Sequence, residues 1–177
     1  MTKAHPLRLT DYIRDIPDFP KPGILFRDVT PLLASPAAFA ESIHQLADHV
    51  RDRKIDLIAA AEARGFLFAA PLAIELGVGL IPIRKPGKLP HATLSHTYEL
   101  EYGTDMLQMH ADAVPAGARV LVVDDLLATG GTVQACSAMI EKAGGVVAGC
   151  AFVIELVSLG GVKKLAGYEV FSLVKYE

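Results

Sequence analysis

Apolar residues along this chain fall into two rhythms, and their alternation predicts a parallel sheet with helices on both faces. Phe39, Ile43, Leu46 and Val50 recur at helical spacing behind Ser35 and Pro36, which suit an N-cap and a first-turn proline. Residues 55–60 form a short apolar strand pattern. Ala61-Glu62-Ala63-Arg64-Gly65 then turns into a helix predicted over about 66–76, which Gly77 stops. Residues 80–83 read as the next strand, and a strand opening at Val120 feeds a helix that begins near Val133. Val133, Cys136, Ile140 and Ala143 share one face of that helix, and Gly144-Gly145 end it. Residues 146–154 and 169–173 supply two further strands. With no internal repeat, linker or low-complexity tract, the reading is one α/β domain over 1–177.

Two segments break this rhythm. Residues 16–28 hold Pro17, Pro20 and Pro22, too many prolines for a helix, and are expected to form a cap or hood within about 1–34. The second, about 85–110, carries a polar loop followed by residues 97–102 and 105–109 around Gly103. That pattern predicts a hairpin projecting from the core as a lid.

The chain's 177 residues suffice for one sizeable core. Its formal charge of −3 leaves no electrostatic footprint for nucleic acid or an anionic membrane, so basic residues must act locally. No apolar run is long enough for a membrane span, and Met1-Thr2-Lys3-Ala4-His5-Pro6 is polar rather than secretory, so the expected location is cytoplasmic. Cys136 and Cys150 lack CxxC spacing and are expected as reduced core residues. His44, His49, His91 and His96 show no metal-ligand spacing, and no protein metal site is expected.

The candidate chemistry concentrates in Val120-Leu121-Val122-Val123-Asp124-Asp125-Leu126-Leu127-Ala128-Thr129-Gly130-Gly131-Thr132. Apolar residues followed by paired carboxylates read as a central parallel strand ending at a site. Ala128, Thr129, Gly130, Gly131 and Thr132 then offer backbone N–H groups and hydroxyls where a helix starts, which is a phosphate cradle. It is not a Walker A loop, since Val133 follows Thr132 with no lysine, and no G-x-G-x-x-G opens any helix.

This run resembles the phosphoribosyl diphosphate (PRPP) motif of type I phosphoribosyltransferases. Phe19-Pro20-Lys21-Pro22-Gly23-Ile24-Leu25-Phe26-Arg27-Asp28, Glu62-Ala63-Arg64-Gly65-Phe66, Arg84-Lys85-Pro86-Gly87-Lys88-Leu89-Pro90 and Leu100-Glu101-Tyr102-Gly103 are similar, in order, to stretches of the adenine-specific members of that family. Ala63, where many members have serine, and His91-Ala92 in the lid depart from the pattern. The resemblance implies the type I fold, with hood and lid, and a reaction of adenine with PRPP and Mg²⁺ that gives AMP and pyrophosphate. It also implies a homodimer.

With PRPP as the ligand, each group wants a different partner. The cradle suits the 5′-phosphate, where charge-assisted hydrogen bonds contribute roughly 1.5–3 kcal/mol each. Asp124 and Asp125 can accept from the ribose hydroxyls and place negative charge beneath an oxocarbenium-like sugar. Direct Mg²⁺ ligation is their alternative role, but Mg²⁺ is expected to be held mainly by PRPP and water. Arg64, at a helix N-terminus, suits the departing pyrophosphate, with a surface ion pair as the alternative. Arg84, Lys85 and Lys88 add positive charge at the base of the lid, although Lys88 also fits a solvated loop. Phe26 and Leu126 are the candidates to sandwich adenine, Phe26 being equally compatible with plain core, while backbone groups of Leu25 and Arg27 can read the purine's polar edge. Glu101 is the candidate general acid/base and Tyr102 the lid residue that packs on closure, the alternative for Glu101 being a solvent-facing strand position. A non-catalytic PRPP or nucleotide sensor is the rival function, and an enzyme for 6-oxopurines is the nearer one.

Overall fold

The computed structural model describes residues 7–99 and 103–177. Its centre is a five-stranded parallel sheet of β3 (Leu57–Ala61), β4 (Gly79–Ile83), β7 (Arg119–Leu127), β8 (Val146–Leu156) and β9 (Val170–Tyr176) in the order β4-β3-β7-β8-β9. The chain runs outward from β3 to β4, then returns to build β7, β8 and β9 on β3's other side. The strand order therefore reverses between β3 and β7, where open α/β sheets leave a crevice at their carboxyl ends.

The central strands are apolar throughout because both faces are covered. Ile58, Ala60, Leu121 and Val123 face one core, with Leu46, Phe68 and Leu72. Ala59, Ala61, Val120 and Val122 face the other, with Met139, Ile140 and Phe152. The first core is closed by α2 (Pro36–Val50) and α3 (Arg64–Leu76), the second by α4 (Gly131–Lys142). Ser35 caps α2 by accepting from the Ala38 N–H at 3.3 Å, while Gly77, at φ +68°, takes the left-handed turn that ends α3. Cys136 and Cys150 are free and buried, and burial pushes the Cys150 thiol up to about 12.

The segments outside the rhythm fold as antiparallel pairs. In the first, β1 (Arg14–Pro17) pairs with β2 (Leu25–Asp28), and a short helix not foreseen in the sequence, α1 (Thr30–Ala34), follows. In the second, β5 (Thr93–Glu99) starts earlier than the expected 97–102, and β6 (Thr104–His110) exceeds the expected 105–109 by one residue at each end. The reason is that the hairpin's stem belongs to the core: Leu107 and Met109 are buried, and Arg84 and Gln108 exchange backbone hydrogen bonds of 2.9 and 2.7 Å. A further short helix, α5 (Gly161–Lys164), was also not anticipated. Among the described residues no helix is long and apolar enough to cross a membrane.

Candidate functional site

Two strand-to-helix corners meet at the carboxyl end of the sheet. The first joins β7 to α4 around a cavity of about 80 Å³ lined by Asp124, Leu126 and the run 127–133. Gly130 stands at φ +82°, which only glycine adopts without strain, and turns the chain so that α4 begins at Gly131. A Cβ on Gly130 would lie 2.7 Å from the Gly161 carbonyl oxygen, and one on Gly161 would collide with the Ala128 carbonyl oxygen. The cradle is thus braced from behind by α5. Sequence reasoning missed Gly161, although the Gly160-Gly161 pair is a visible breaker.

The acids at this corner are not equivalent. Asp125 is buried and accepts the Arg64 Nε–H at 2.5 Å, while its own backbone N–H donates to Asp124 Oδ1 at 2.9 Å. Desolvation, followed by the negative charge of Asp125, pushes the Asp124 carboxyl well above the usual carboxylate range. Gly65 allows α3 to approach so closely, since a Cβ there would sit 2.8 Å from Asp124 Oδ1 and 3.3 Å from the Val123 carbonyl oxygen. Asp125 thereby supplies one anionic partner of the Arg64 guanidinium, through Nε. Arg64 also places its guanidinium carbon 5.5 Å from the centre of the Phe26 ring, so it touches both the acid pair and the β1–β2 hairpin.

The second corner, from β3 into α3, is organised by Glu62, for which the sequence had suggested no role. Its N–H donates to the Ile83 carbonyl at 2.9 Å, and its carboxylate accepts the Lys85 N–H at 2.5 Å and Arg84 Nη2 at 3.2 Å. The Lys85 N–H, more than any other partner, holds the Glu62 carboxyl below its ordinary value. Arg84 and Lys85 are thereby brought to the β3–α3 corner, and Lys85 Nζ extends to Asp105 Oδ2 at 3.3 Å. Lys88 is exposed. Glu101 and Tyr102 lie outside the described residues.

A larger cavity, about 540 Å³, opens between the β1–β2 hairpin, α1 and the start of α3. Phe26, Arg27, Phe19, Arg64 and Leu67 line it. Phe26 is fixed by an edge-on contact with Phe19 at 5.1 Å. The Arg27 guanidinium pairs with Asp15 and lies 3.7 Å over the Tyr176 ring. Leu25 is 45 % exposed and its side chain does not line this cavity, which leaves its backbone as the part the sequence pointed to. Leu126 lines the cradle cavity instead of this one.

Among the described residues no cluster of three His, Cys, Asp or Glu side chains is placed to hold a metal. The donors present, an acid pair with one member engaged by Arg64, fit a hard cation that keeps most of its oxygen ligands from substrate and water.

The sequence model of the phosphoribosyl transferase domain matches residues 28–174. An adenine phosphoribosyltransferase of Thermoanaerobacter sp. (strain X514) is 60% identical over 164 residues, covering 93% of this chain and 95% of the relative. The crystal structure of the Thermoanaerobacter pseudethanolicus adenine phosphoribosyltransferase superposes with a TM-score of 0.93 at 58% identity, covering 95% of this chain and 98% of that one. The Saccharomyces cerevisiae enzyme, solved with an imino-altritol bisphosphate and adenine, superposes with a TM-score of 0.88 at 40% identity over 93% of this chain and 96% of its own. Sequence and fold therefore agree with the two-corner geometry: this chain belongs to the phosphoribosyltransferases, among the adenine phosphoribosyltransferases.

Proposed function

We propose that the chain transfers the phosphoribosyl group of PRPP to adenine, forming AMP and releasing pyrophosphate. The observation that carries this reading is the meeting, at the switch point between β3 and β7, of a phosphate cradle, an acid pair and an arginine that also faces the aromatic cavity. The yeast relative was solved with adenine, which supports adenine as the base taken here.

In this scheme Ala128, Thr129, Gly130, Gly131 and Thr132 take the 5′-phosphate, their N–H groups and hydroxyls replacing its water. Asp124 and Asp125 lie under the ribose. As the C1′–O bond breaks, its electron pair leaves with pyrophosphate, and the acids stabilise the positive charge that develops on the sugar. Arg64 spends Nε on Asp125 and keeps Nη1 and Nη2 for the pyrophosphate, whose other charges meet Arg84, Lys85 and Lys88. Adenine packs on Phe26, with Leu126 at the ribose side and the backbone of residues 25–27 reading its amine edge. N9 bonds to C1′, and Glu101 manages the purine's proton while Tyr102 packs over the closed site. Mg²⁺, held mainly by PRPP and water, would supply neutralising charge for the leaving group, and Asp124 and Asp125 are the acids of this chain that would face it.

Ile74 on α3 and Leu80 on β4 are 83% and 37% exposed, apolar side chains whose exposure supports a homodimer. Incubation with PRPP, Mg²⁺ and each of adenine, guanine, hypoxanthine, xanthine and orotate tests the function. AMP formation, with little product from the other bases, is the expected result. PRPP binding without AMP formation would favour the sensor instead, and product chiefly from hypoxanthine or guanine the 6-oxopurine enzyme.

A further inference from the structure

Tyr98 on β5 is half-buried, with its hydroxyl 3.5 Å from Asp105 Oδ2 across the hairpin and 3.5 Å from Thr132 Oγ1 in the cradle. The same Asp105 oxygen lies 3.3 Å from Lys85 Nζ, and Asp105 Oδ1 is fixed by the Met106 N–H at 2.8 Å. A closed O–H···O bond spans about 2.5–3.0 Å, so the phenol stands between two oxygens without having closed on either. It has one proton to give. Asp105 as a carboxylate only accepts, whereas the Thr132 hydroxyl both donates and accepts. Burial, ahead of the Asp105 charge, holds the phenol above its ordinary range, so the proton is present at neutral pH.

We propose that Tyr98 and Asp105 are positioning residues that couple the two anionic ends of PRPP. The proposal rests on the PRPP reading of the site. With the cradle empty, the carboxylate is the stronger acceptor, and Asp105 is shared between Tyr98 and Lys85. A 5′-phosphate draws the Thr132 proton into its own hydrogen bond and leaves the Thr132 oxygen only lone pairs to offer. The phenol then turns its proton to Thr132. Asp105 is left with Lys85 as its one side-chain partner and holds that ammonium in a single arrangement at the pyrophosphate end. The first anion thus removes part of the ordering cost of the second.

Calorimetric titration of the full chain with pyrophosphate and Mg²⁺, with and without saturating ribose 5-phosphate, reads this coupling directly. In the wild type, ribose 5-phosphate is expected to tighten pyrophosphate about tenfold, and reciprocity requires the same factor in the reverse titration. Tyr98→Phe keeps the ring and its packing, and Asp105→Asn keeps the side-chain shape. Each should bind either ligand alone within about threefold of wild type yet reduce the coupling below about twofold. KM for PRPP should rise in both variants while KM for adenine holds. Asp105→Glu, which retains the charge, should recover part of the coupling. Undiminished coupling in Tyr98→Phe overturns the proposal, as does its absence in the wild type while AMP is still formed. A wild type that binds neither anion and forms no AMP overturns the PRPP reading and this proposal with it.

Discussion

At the β7–α4 corner the proposed anion site is made of backbone: Gly130 turns at φ +82°, Gly161 packs behind it, and the lining hydroxyls are those of Thr129 and Thr132. At the β3–α3 corner the same task falls to side chains, with Arg64, Arg84 and Lys85 held in place by Asp125 and Glu62. The first needs small residues and gains its charge from aligned N–H groups, so it suits a fixed, dianionic ligand. The second carries side-chain cations, each already paired with a carboxylate, so it suits an anion that arrives, gains charge and leaves. The two corners share a side-chain contact, Arg64 with Asp125, which ties the side-chain site to the backbone one.

The largest effect is expected where the backbone corner loses its shape. Gly130→Ala forces a left-handed φ, costing roughly 1–2 kcal/mol, and drives its Cβ to 2.7 Å from the Gly161 carbonyl, which is backbone and yields little. Overpacking adds about 1–3 kcal/mol. The variant should lose PRPP binding by more than about 100-fold and unfold several degrees earlier by calorimetry. Near-normal KM for PRPP would show that the cradle does not depend on its backbone turn.

Next comes the shared contact. Arg64→Ala leaves Asp125 buried without its guanidinium and removes a donor to the leaving group. A loss of about 10²–10³ in kcat/KM is expected, by analogy with other groups that stabilise developing charge. Arg64→Lys should recover only part of it, because an ammonium does not span Asp125 and pyrophosphate as a guanidinium fork does. Full activity in Arg64→Ala would separate the corners.

These corners also differ in how far the sequence revealed them. The cradle was readable residue by residue because a backbone site needs a contiguous run, and 128–132 is contiguous. The side-chain corner is assembled from residues 62–64, 84–85 and 125, so the sequence suggested the arginines and lysine without showing that Glu62 aligns them or that Asp125 takes Arg64. The parallel sheet followed from apolar runs with helical stretches between them. The β5–β6 stem was read as a projection because its buried Leu107 and Met109 alternate with polar residues, a pattern that does not reveal whether the inward face meets the core.

The acid pair gives a third, smaller test in which stability and activity move apart. Asp124 has its pKa raised in the folded chain, so the fold binds its proton more tightly than the unfolded chain does. Its ionised form therefore weakens the fold as pH rises above its ordinary value of 3.8. Asp124→Asn removes a desolvated charge beside Asp125. Melting at pH 7 should move up by a few degrees, about 1 kcal/mol of stability, with the difference shrinking toward pH 4, while AMP formation falls. A lower melting temperature at pH 7 would mean that Asp124 contributes to the fold rather than straining it.

The smallest effect belongs to Glu62, and its sign is opposite. Its folded pKa is depressed, chiefly by the Lys85 N–H, so its contribution to stability is present above the ordinary value of 4.5 and is lost as pH falls through the folded value. Glu62→Gln still accepts from the Lys85 N–H but loses the charge that faces Arg84, so stability at pH 7 should fall by about 1 kcal/mol. The acid limb of the stability profile, below pH 4.5, should become shallower. Because Glu62 accepts both Arg84 Nη2 and the Lys85 N–H at the β3–α3 corner, KM for pyrophosphate in the reverse reaction should rise several-fold while affinity for ribose 5-phosphate is unchanged. An equal rise for both ligands would show that Glu62 supports the whole carboxyl edge of the sheet and that the side-chain corner is not organised independently of the backbone one.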